Sequence, residues 1–211
     1  MKKMVETKHK LKNVTTIYNP INVDEIKKLA QEKVDLNFEY VISAGRYDSN
    51  VKQFDKLIYA YAKSVLPKKN IHLVILGEGN MKSQLIEVSR ENGVLHLVHF
   101  LGFKNNPYKY YKQAKFYILS SRLEGMPMVL IEALSCETPV ISFDCETGPR
   151  EIISDRENGL LVENQDVNKL IEAIDLFETD SALYAHCKTN AVSSVDKFSI
   201  EKIGKQWLEL L

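Results

Sequence analysis

Residues 116–143 have the sequence FYILSSRLEGMPMVLIEALSCETPVISF, which predicts a strand, a loop, a helix and a second strand. The runs from Phe116 to Ser120 and from Pro139 to Phe143 are short, apolar and β-rich. Between them, Pro127 suits the first position of a helix, where its missing N–H costs nothing. Strands that alternate with helices run parallel, so this stretch predicts one unit of a parallel sheet.

The same alternation extends along the chain in both directions. Apolar runs predict further strands at 38–44, 71–76, 95–101 and 159–162. Helical spacing and end signals predict helices at 54–65, 81–91, 107–114, 166–178, 180–192 and 199–210, and a helix-like segment at 23–32. The predicted fold class is therefore α/β, with a parallel sheet that carries helices on both of its faces.

Composition narrows the function classes. The 211 residues include 28 basic and 28 acidic side chains, so no net charge draws the chain to nucleic acid. The sequence contains no run of 18 apolar residues, so we predict no membrane-spanning helix. Its first residues lack the apolar core of a signal peptide. The three cysteines and five histidines show no metal-ligand spacing, so we predict no metal site and a reducing cytoplasmic location.

Loops with glycine follow four of the predicted strands. They are Gly45-Arg46, Gly77-Glu-Gly79, Gly102-Phe103 and Glu124-Gly125. The carboxyl ends of parallel strands meet at one edge of a sheet, where ligands of such folds bind. We therefore expect these four loops to converge on a single rim.

Two carboxylates flank the predicted helix that starts near Pro127. Glu124 lies in the loop before it and Glu132 about two turns into it. The unsatisfied N–H groups of a first helical turn favour an anion between the two acids. This arrangement suits a ligand with a phosphate centre and hydroxyl-rich ends, such as a nucleotide sugar. The alternatives are a surface pairing for Glu132 and a helix-dipole role for Glu124.

Two cations are predicted beside the same rim. Arg46 follows Gly45, and Lys52 lies six residues later, so together they are able to clamp a pyrophosphate. The alternative is a solvated Lys52 with Arg46 paired to Asp48 or Asp55. Phe103 is placed either against a base or in the core. The absence of a basic stripe argues against nucleic acid as a partner.

The ordered set of these motifs resembles the C-terminal, donor-binding half of a retaining glycosyltransferase of family 4, which has the GT-B fold. The resemblance runs in order from about residue 13 to the end of the chain. It rests on Gly45-Arg46 with Lys52, Gly77-Glu-Gly79, Phe100-Leu-Gly102, residues 121–133, Pro139-Val-Ile141, residues 148–153 and residues 158–162. It implies a Rossmann-like sheet that forms one half of a GT-B fold.

The resemblance also implies a role for each site residue. Arg46 and Lys52 would hold the donor diphosphate without a metal or other cofactor, Glu124 would contact the donor sugar, and Glu132 would hold the ribose. Backbone N–H groups from Gly125 to Val129 would face phosphate or sugar. The implied donor-binding set is Arg46, Lys52, Phe103, Glu124, Gly125, Met126, Pro127, Met128, Val129 and Glu132, with Glu124, Arg46 and Lys52 as the catalytic members.

The implied reaction transfers a hexose from a nucleoside diphosphate sugar, with UDP the family's common nucleotide, to an acceptor hydroxyl during assembly of polysaccharide, glycolipid or glycoprotein glycans. Residues 1–35 are interpreted as a connector from an N-terminal acceptor domain that this chain lacks, and residues 36–211 as the nucleotide-sugar-binding domain. Little transferase activity is then expected from the chain alone.

Three alternatives remain open at this point: a non-catalytic nucleotide-sugar-binding module, one subunit of a split enzyme, and a GT-B epimerase. The start of the chain bears on location, because residues 1–12 carry five lysines against one glutamate. That segment is interpreted either as a frayed, solvated start or as a basic patch for anionic lipid at the inner face of the membrane.

Overall fold

A computed structural model of the chain describes residue 6 and residues 14–210. Its centre is one sheet of six parallel strands in the order β3-β2-β1-β4-β5-β6. The strands are β1 (Tyr40–Ala44), β2 (His72–Leu76), β3 (Val98–Gly102), β4 (Tyr117–Leu119), β5 (Val140–Phe143) and β6 (Gly159–Val162). The predicted α/β class, a Rossmann-like sheet, is confirmed.

Helices connect the strands and cover the sheet. The α-helices are α1 (Val23–Leu29), α2 (Phe54–Lys63), α3 (Lys82–Glu91), α4 (Tyr108–Gln113), α5 (Met128–Ser135), α6 (Pro149–Ile152), α7 (Val167–Thr179), α8 (Ser181–Ser194) and α9 (Ile200–Leu208). Short 3₁₀ turns occur at Pro67–Lys69, Leu95–Leu97 and Asp196–Phe198. The one-turn helix α6 is not among the predicted elements.

Both faces of the sheet are buried under helices. Because successive strand residues point to opposite sides, each strand contributes side chains to both cores. On β1, Val41 joins the core shared with α2, α3 and α7, whereas Ile42 joins the core shared with α1, α4 and α5. Helix α8 contributes to both, with Cys187 in the first core and Ala191 in the second. The result is three layers, with helices on both faces as predicted.

The segment before β1 packs on the second face. Ile21 and Ile26 are buried there, and the Ile21 N–H donates to the Phe198 carbonyl at 2.9 Å. Tyr18 contacts the Phe198 ring edge-on, at 5.2 Å between centroids. Within residue 6 and residues 14–210, no helix is both long and apolar enough to cross a membrane. Apart from residue 6, the basic segment 1–12 lies outside the described residues.

Most element starts differ from the predictions by one residue or more, and three of these differences have an identifiable local cause. The strand predicted at 95–101 begins at Val98, because residues after Gly93 (φ +73°) form a 3₁₀ turn closed by Leu97 N–H to the Val94 carbonyl, 2.9 Å. The first strand begins at Tyr40 rather than Phe38, whose ring stacks on His72 at 4.1 Å. Helix α5 begins at Met128, and Pro127 occupies the N-cap with φ −73° and ψ 86°, not the first helical position.

Candidate functional site

The sheet opens where β1 and β4 lie side by side. The chain enters at β1, builds outward to β3, and then returns to β4 on the other side of β1, so this pair is the point where the strand order reverses. Only Ile42 and Tyr117 are in register between the two strands. Beyond them, the Tyr117 hydroxyl bridges the Ala44 N–H and carbonyl, at 3.0 Å each. Side-chain hydrogen bonds thus replace main-chain pairing at the carboxyl ends of β1 and β4. The region between these two ends is called the crevice below.

Two glycine loops pack together on the β1 side of that crevice. Gly77 has φ +122°, and an ideal Cβ at this position would lie 2.1 Å from the Gly45 carbonyl oxygen. Gly79 leaves equally little room, with its ideal Cβ 2.3 Å from the Tyr47 carbonyl carbon. The Tyr47 N–H donates to the Glu78 carbonyl at 3.0 Å. Only glycine allows this close approach, which fixes the path of the loop that carries Arg46.

Arg46 lies exposed on that loop and lines a cavity of about 530 Å³. Within residues 14–210 neither alternative partner pairs with it: Asp48 accepts from the Asn80 N–H at 3.1 Å, and Asp55 accepts from the Asn50 side chain at 3.3 Å. Among residues 14–210, no ion pair involves Arg46. The guanidinium is therefore available to an anion in this cavity.

Phe103 lines the same cavity from the end of β3. Its side chain is 65% exposed, so it is not the core aromatic of the alternative interpretation. Its N–H donates to the Glu78 carboxylate at 3.4 Å, a weak bond. The cavity is also lined by Gly77, Gly79, Lys104 and Tyr111. Burial raises the pKa of Tyr111 well above its usual value, so its hydroxyl stays neutral.

Lys52 and Glu124 form an ion pair across the mouth of the crevice. The Lys52 Nζ lies 2.6 Å from the Glu124 Oε1, and the two side chains are 24% and 11% exposed. The lysine stem lies over Gly45, where an ideal Cβ would be 3.2 Å from the Lys52 Cε. The Ser120 hydroxyl donates to the Lys52 carbonyl at 2.7 Å. Lys52 is thus held in place rather than solvated.

The Glu124 loop leads into α5. Pro127 is buried at the N-cap, and within residues 14–210 no side chain caps the start of α5. The first N–H groups of α5, those of Met128 and Val129, are therefore unsatisfied. Gly125 is exposed, while Met126 turns toward the N-terminal segment, where its sulfur accepts from the Asn19 N–H at 3.3 Å.

A second loop, which follows β5, braces the first. The Thr147 hydroxyl donates to the Glu124 carbonyl at 2.5 Å. Gly148 has φ +96°, and its ideal Cβ would lie 2.6 Å from the Pro127 Cδ. The sequence analysis assigns residues 147 and 148 no role in the site. They nevertheless follow a predicted strand, which is the same signal that places the other four loops on the rim.

Glu132 is the fifth residue of α5 and is partly buried. Burial raises the pKa of its carboxyl group above 4.5. Among the described residues, no hydrogen bond or ion pair engages this carboxylate, so the surface pairing weighed above is not formed. It lines a second cavity of about 280 Å³. The other lining residues include Pro20, Ile21, Asn22, Tyr108 and Met128.

The candidate residues therefore form three neighbouring groups rather than one cluster. Arg46 and Phe103 line the larger cavity, Lys52 and Glu124 pair at the crevice, and Glu132 lines the smaller cavity with Met128. Within residues 14–210 and at residue 6, no group of three or more histidine, cysteine or acidic side chains has the geometry of a metal site.

Comparison with known proteins gives consistent matches. The family described as glycosyl transferases group 1 matches residues 24–193. The chain is 36% identical over 200 residues, 95% of its length and 54% of the relative's, to an N-acetylgalactosamine-N,N'-diacetylbacillosaminyl-diphospho-undecaprenol 4-alpha-N-acetylgalactosaminyltransferase of Campylobacter jejuni. It is 28% identical over 203 residues, 95% of its length and 40% of the relative's, to a poly(ribitol-phosphate) alpha-N-acetylglucosaminyltransferase of Staphylococcus aureus.

Solved structures agree on the fold. A mutant of TarM from S. aureus, in complex with Fondaparinux, alpha-GlcNAc-glycerol and UDP, superimposes with a TM-score of 0.85 at 25% identity, over 99% of this chain and 41% of that one. The chain spans about half the length of the curated relatives it matches, with 54%, 58% and 61% for three of them.

Proposed function

Because this chain belongs to the family of group 1 glycosyl transferases, we propose that it is the donor-binding domain of a glycosyltransferase. A nucleoside diphosphate sugar binds at the rim where β1 and β4 end, and its hexose passes to an acceptor hydroxyl with retention at the anomeric carbon. The observation that carries the proposal is the meeting at this rim of three features: an exposed Arg46 that has no ion-pair partner among residues 14–210, the Lys52–Glu124 pair, and a start of α5 that no side chain of those residues caps.

The diphosphate is assigned to Arg46, Lys52 and the start of α5. An exposed guanidinium offers a planar fork to phosphate oxygens, and the lysine offers a compact charge. The N–H groups of Met128 and Val129 add donors at the positive end of the helix dipole. As the bond to the sugar breaks, negative charge grows on the departing diphosphate, and these cations stabilise it without a metal.

The sugar is assigned to Glu124. Its pairing with Lys52 at 2.6 Å keeps a carboxylate acceptor beside the phosphate-binding cation, so the two members of the pair reach opposite sides of the bond that breaks. Gly125 is exposed and has no side chain, which allows the backbone to approach the phosphate and sugar closely.

The nucleoside is assigned to Glu132 and Phe103. A partly buried carboxylate that has no partner among the described residues gains from two hydroxyl donors, and the two hydroxyls of a ribose are such donors. The exposed Phe103 ring is placed against the base, in the cavity that also holds Arg46. UDP is the proposed nucleotide, since it is bound in the TarM complex that shares this fold.

Transfer itself is assigned to this domain acting with a second one. The matched relatives are about twice as long as this chain, and acceptor binding and cleft closure are proposed to lie in the additional part. The two named relatives act on an undecaprenol-linked saccharide and on poly(ribitol-phosphate). We therefore propose a role in glycolipid or surface-polysaccharide assembly at the inner face of the membrane, with peripheral contact.

All the residues assigned above contact the donor, which also fits a second candidate, a nucleotide-sugar-binding module or one subunit of a split enzyme. Both candidates bind the same donor. They differ in glycosyl transfer activity. A subunit of a split enzyme should gain this activity when a separately produced acceptor domain is added, whereas a non-catalytic binding module should not.

Calorimetric titration of the chain with UDP, GDP and ADP tests the proposal. We expect binding with UDP preferred, and losses of about tenfold to a hundredfold in Arg46→Ala and Glu132→Ala, the size of a hydrogen bond to a charged group. The exposed Arg90–Glu87 pair of α3 provides matched controls, Arg90→Ala and Glu87→Ala, which should bind as the wild type does. Absence of binding by the wild-type chain, or variants with unchanged affinity, would contradict the proposed site.

A further inference from the structure

The Glu124 carboxylate lies on a loop with little support of its own. Arg122 and Leu123, just before it, are exposed, and so is Gly125 just after it. The Arg122 N–H donates to the Val51 carbonyl at 3.0 Å, which ties the start of the loop to the segment before α2. If the Glu124 carboxylate is to contact both Lys52 and a sugar, the backbone of its loop needs a second restraint.

That second restraint comes from the loop after β5. The Thr147 hydroxyl donates to the backbone carbonyl of Glu124 itself, at 2.5 Å. Next to it, the ideal Cβ of Gly148 would be 2.7 Å from the Gly125 carbonyl oxygen, so the two loops are in backbone contact. The base of the bracing loop is closed by Arg150, which holds Asp144 through two bonds of 2.8 and 2.6 Å.

The partner of Glu124 is tied in the same way. Lys52 has its backbone carbonyl bonded by the Ser120 hydroxyl at 2.7 Å. Each member of the ion pair thus accepts, at its main-chain carbonyl, a hydrogen bond from a hydroxyl of a neighbouring loop, and their side chains meet at 2.6 Å.

We propose that Thr147 is a positioning residue that sets the Glu124 carboxylate for the sugar of the donor. This inference rests on the proposed function, in which Glu124 contacts the sugar and Arg46 contacts the diphosphate. Thr147 touches neither ligand part itself and acts only through the Glu124 carbonyl. Its loss should therefore weaken binding of the sugar and leave binding of the nucleotide unchanged.

The test compares UDP with UDP-N-acetylgalactosamine and UDP-N-acetylglucosamine as calorimetric probes. In Thr147→Val, which keeps the shape but not the donor, we expect UDP affinity to stay constant. The additional affinity of the better nucleotide sugar over UDP should fall about threefold to tenfold, the size of one internal hydrogen bond. Thr147→Ser should restore it. If Thr147→Val does not fold, the pair Thr147→Ala and Thr147→Ser poses the same question.

Two further variants separate positioning from a general loss of structure. In a Glu124→Ala background, Thr147→Val should have no additional effect, because the group it positions is gone. Thr179→Val removes a hydroxyl that donates to the Asp175 carbonyl at the end of α7, and it should leave both affinities unchanged. An equal loss for UDP and nucleotide sugar, or a loss that persists without the Glu124 side chain, would overturn the inference.

A readout without ligand separates this inference from the proposed function. Amide hydrogen exchange at residues 122–126 should be faster in Thr147→Val than in the wild type and in Thr147→Ser. If the wild type binds none of the probes, the proposed function fails, while exchange still decides whether Thr147 restrains Glu124. Equal exchange in all three proteins would refute the restraint whatever the binding result.

Discussion

Replacing Gly77 by alanine tests whether the contact between the first two glycine loops builds the site. Gly77 has φ +122°, and the added Cβ would lie 2.1 Å from the Gly45 carbonyl oxygen. That oxygen belongs to the backbone, so the overlap is relieved only if the loop carrying Arg46 moves. Strain at such a φ costs about 1–3 kcal/mol, and overpacking adds about as much again. We expect the free energy of unfolding to fall by about 2–6 kcal/mol.

Gly93→Ala is the matched control for that substitution. Gly93 also has a positive φ, +73°, but in the described part of the chain no heavy atom lies within 4 Å of its ideal Cβ. It should lose about 1–2 kcal/mol, the strain of a left-handed residue alone. Urea denaturation with linear extrapolation measures both values. Nucleotide affinity, measured by calorimetry under folding conditions, should fall in Gly77→Ala only.

Two outcomes of the comparison between Gly77→Ala and Gly93→Ala would contradict the prediction. If the two alanine variants lose the same stability, the 2.1 Å approach does not constrain the loop, and glycine is required at residue 77 for its φ alone. If Gly77→Ala is strongly destabilised yet binds UDP as the wild type does, the position of Arg46 does not depend on the contact. Either outcome would refute the reasoning that links this close approach to the cavity.

Three further predictions concern charge and helix propensity. Because burial raises the pKa of Glu132 above 4.5, the folded protein holds this proton more tightly than the unfolded chain, and stability falls as pH rises through the raised pKa. Glu132→Gln should therefore gain stability over the wild type at neutral pH and not below pH 4.5; a difference independent of pH in urea denaturation would contradict this. Because burial lowers the pKa of His99 below 6.5, stability is lost as pH falls below that value, and His99→Phe should reduce this loss in the same assay. Gly204→Ala, inside α9 with open space around its ideal Cβ among the described residues, should raise the melting temperature through a gain of about 0.5–1 kcal/mol with unchanged UDP affinity.

The strands and the rim could be predicted because their signals are local. Apolar runs that end in glycine mark β1, β2 and β3, and parallel strands send their carboxyl ends to one edge. The start of β3 was placed too early, because an apolar pattern alone does not distinguish Leu95–Leu97 in a 3₁₀ turn from a strand.

Contacts between distant residues were not predictable from the chain. Lys52 and Glu124 are 72 residues apart, and their pairing depends on where two loops are held after the sheet forms. The Thr147 bond to Glu124 carries no pattern that distinguishes it from an ordinary loop threonine. The partial burial of Glu132 has a related cause, since its cavity is lined by residues 20–22, which lie in the segment interpreted above as a connector.

The most direct test of the central claim is a crystal structure of this chain with UDP bound. We predict the diphosphate within hydrogen-bond distance of Arg46 and of the Met128 and Val129 N–H groups, with the ribose hydroxyls on the Glu132 carboxylate. A nucleotide bound away from the carboxyl ends of β1 and β4, or one whose phosphates contact neither Arg46 nor the start of α5, would contradict the account.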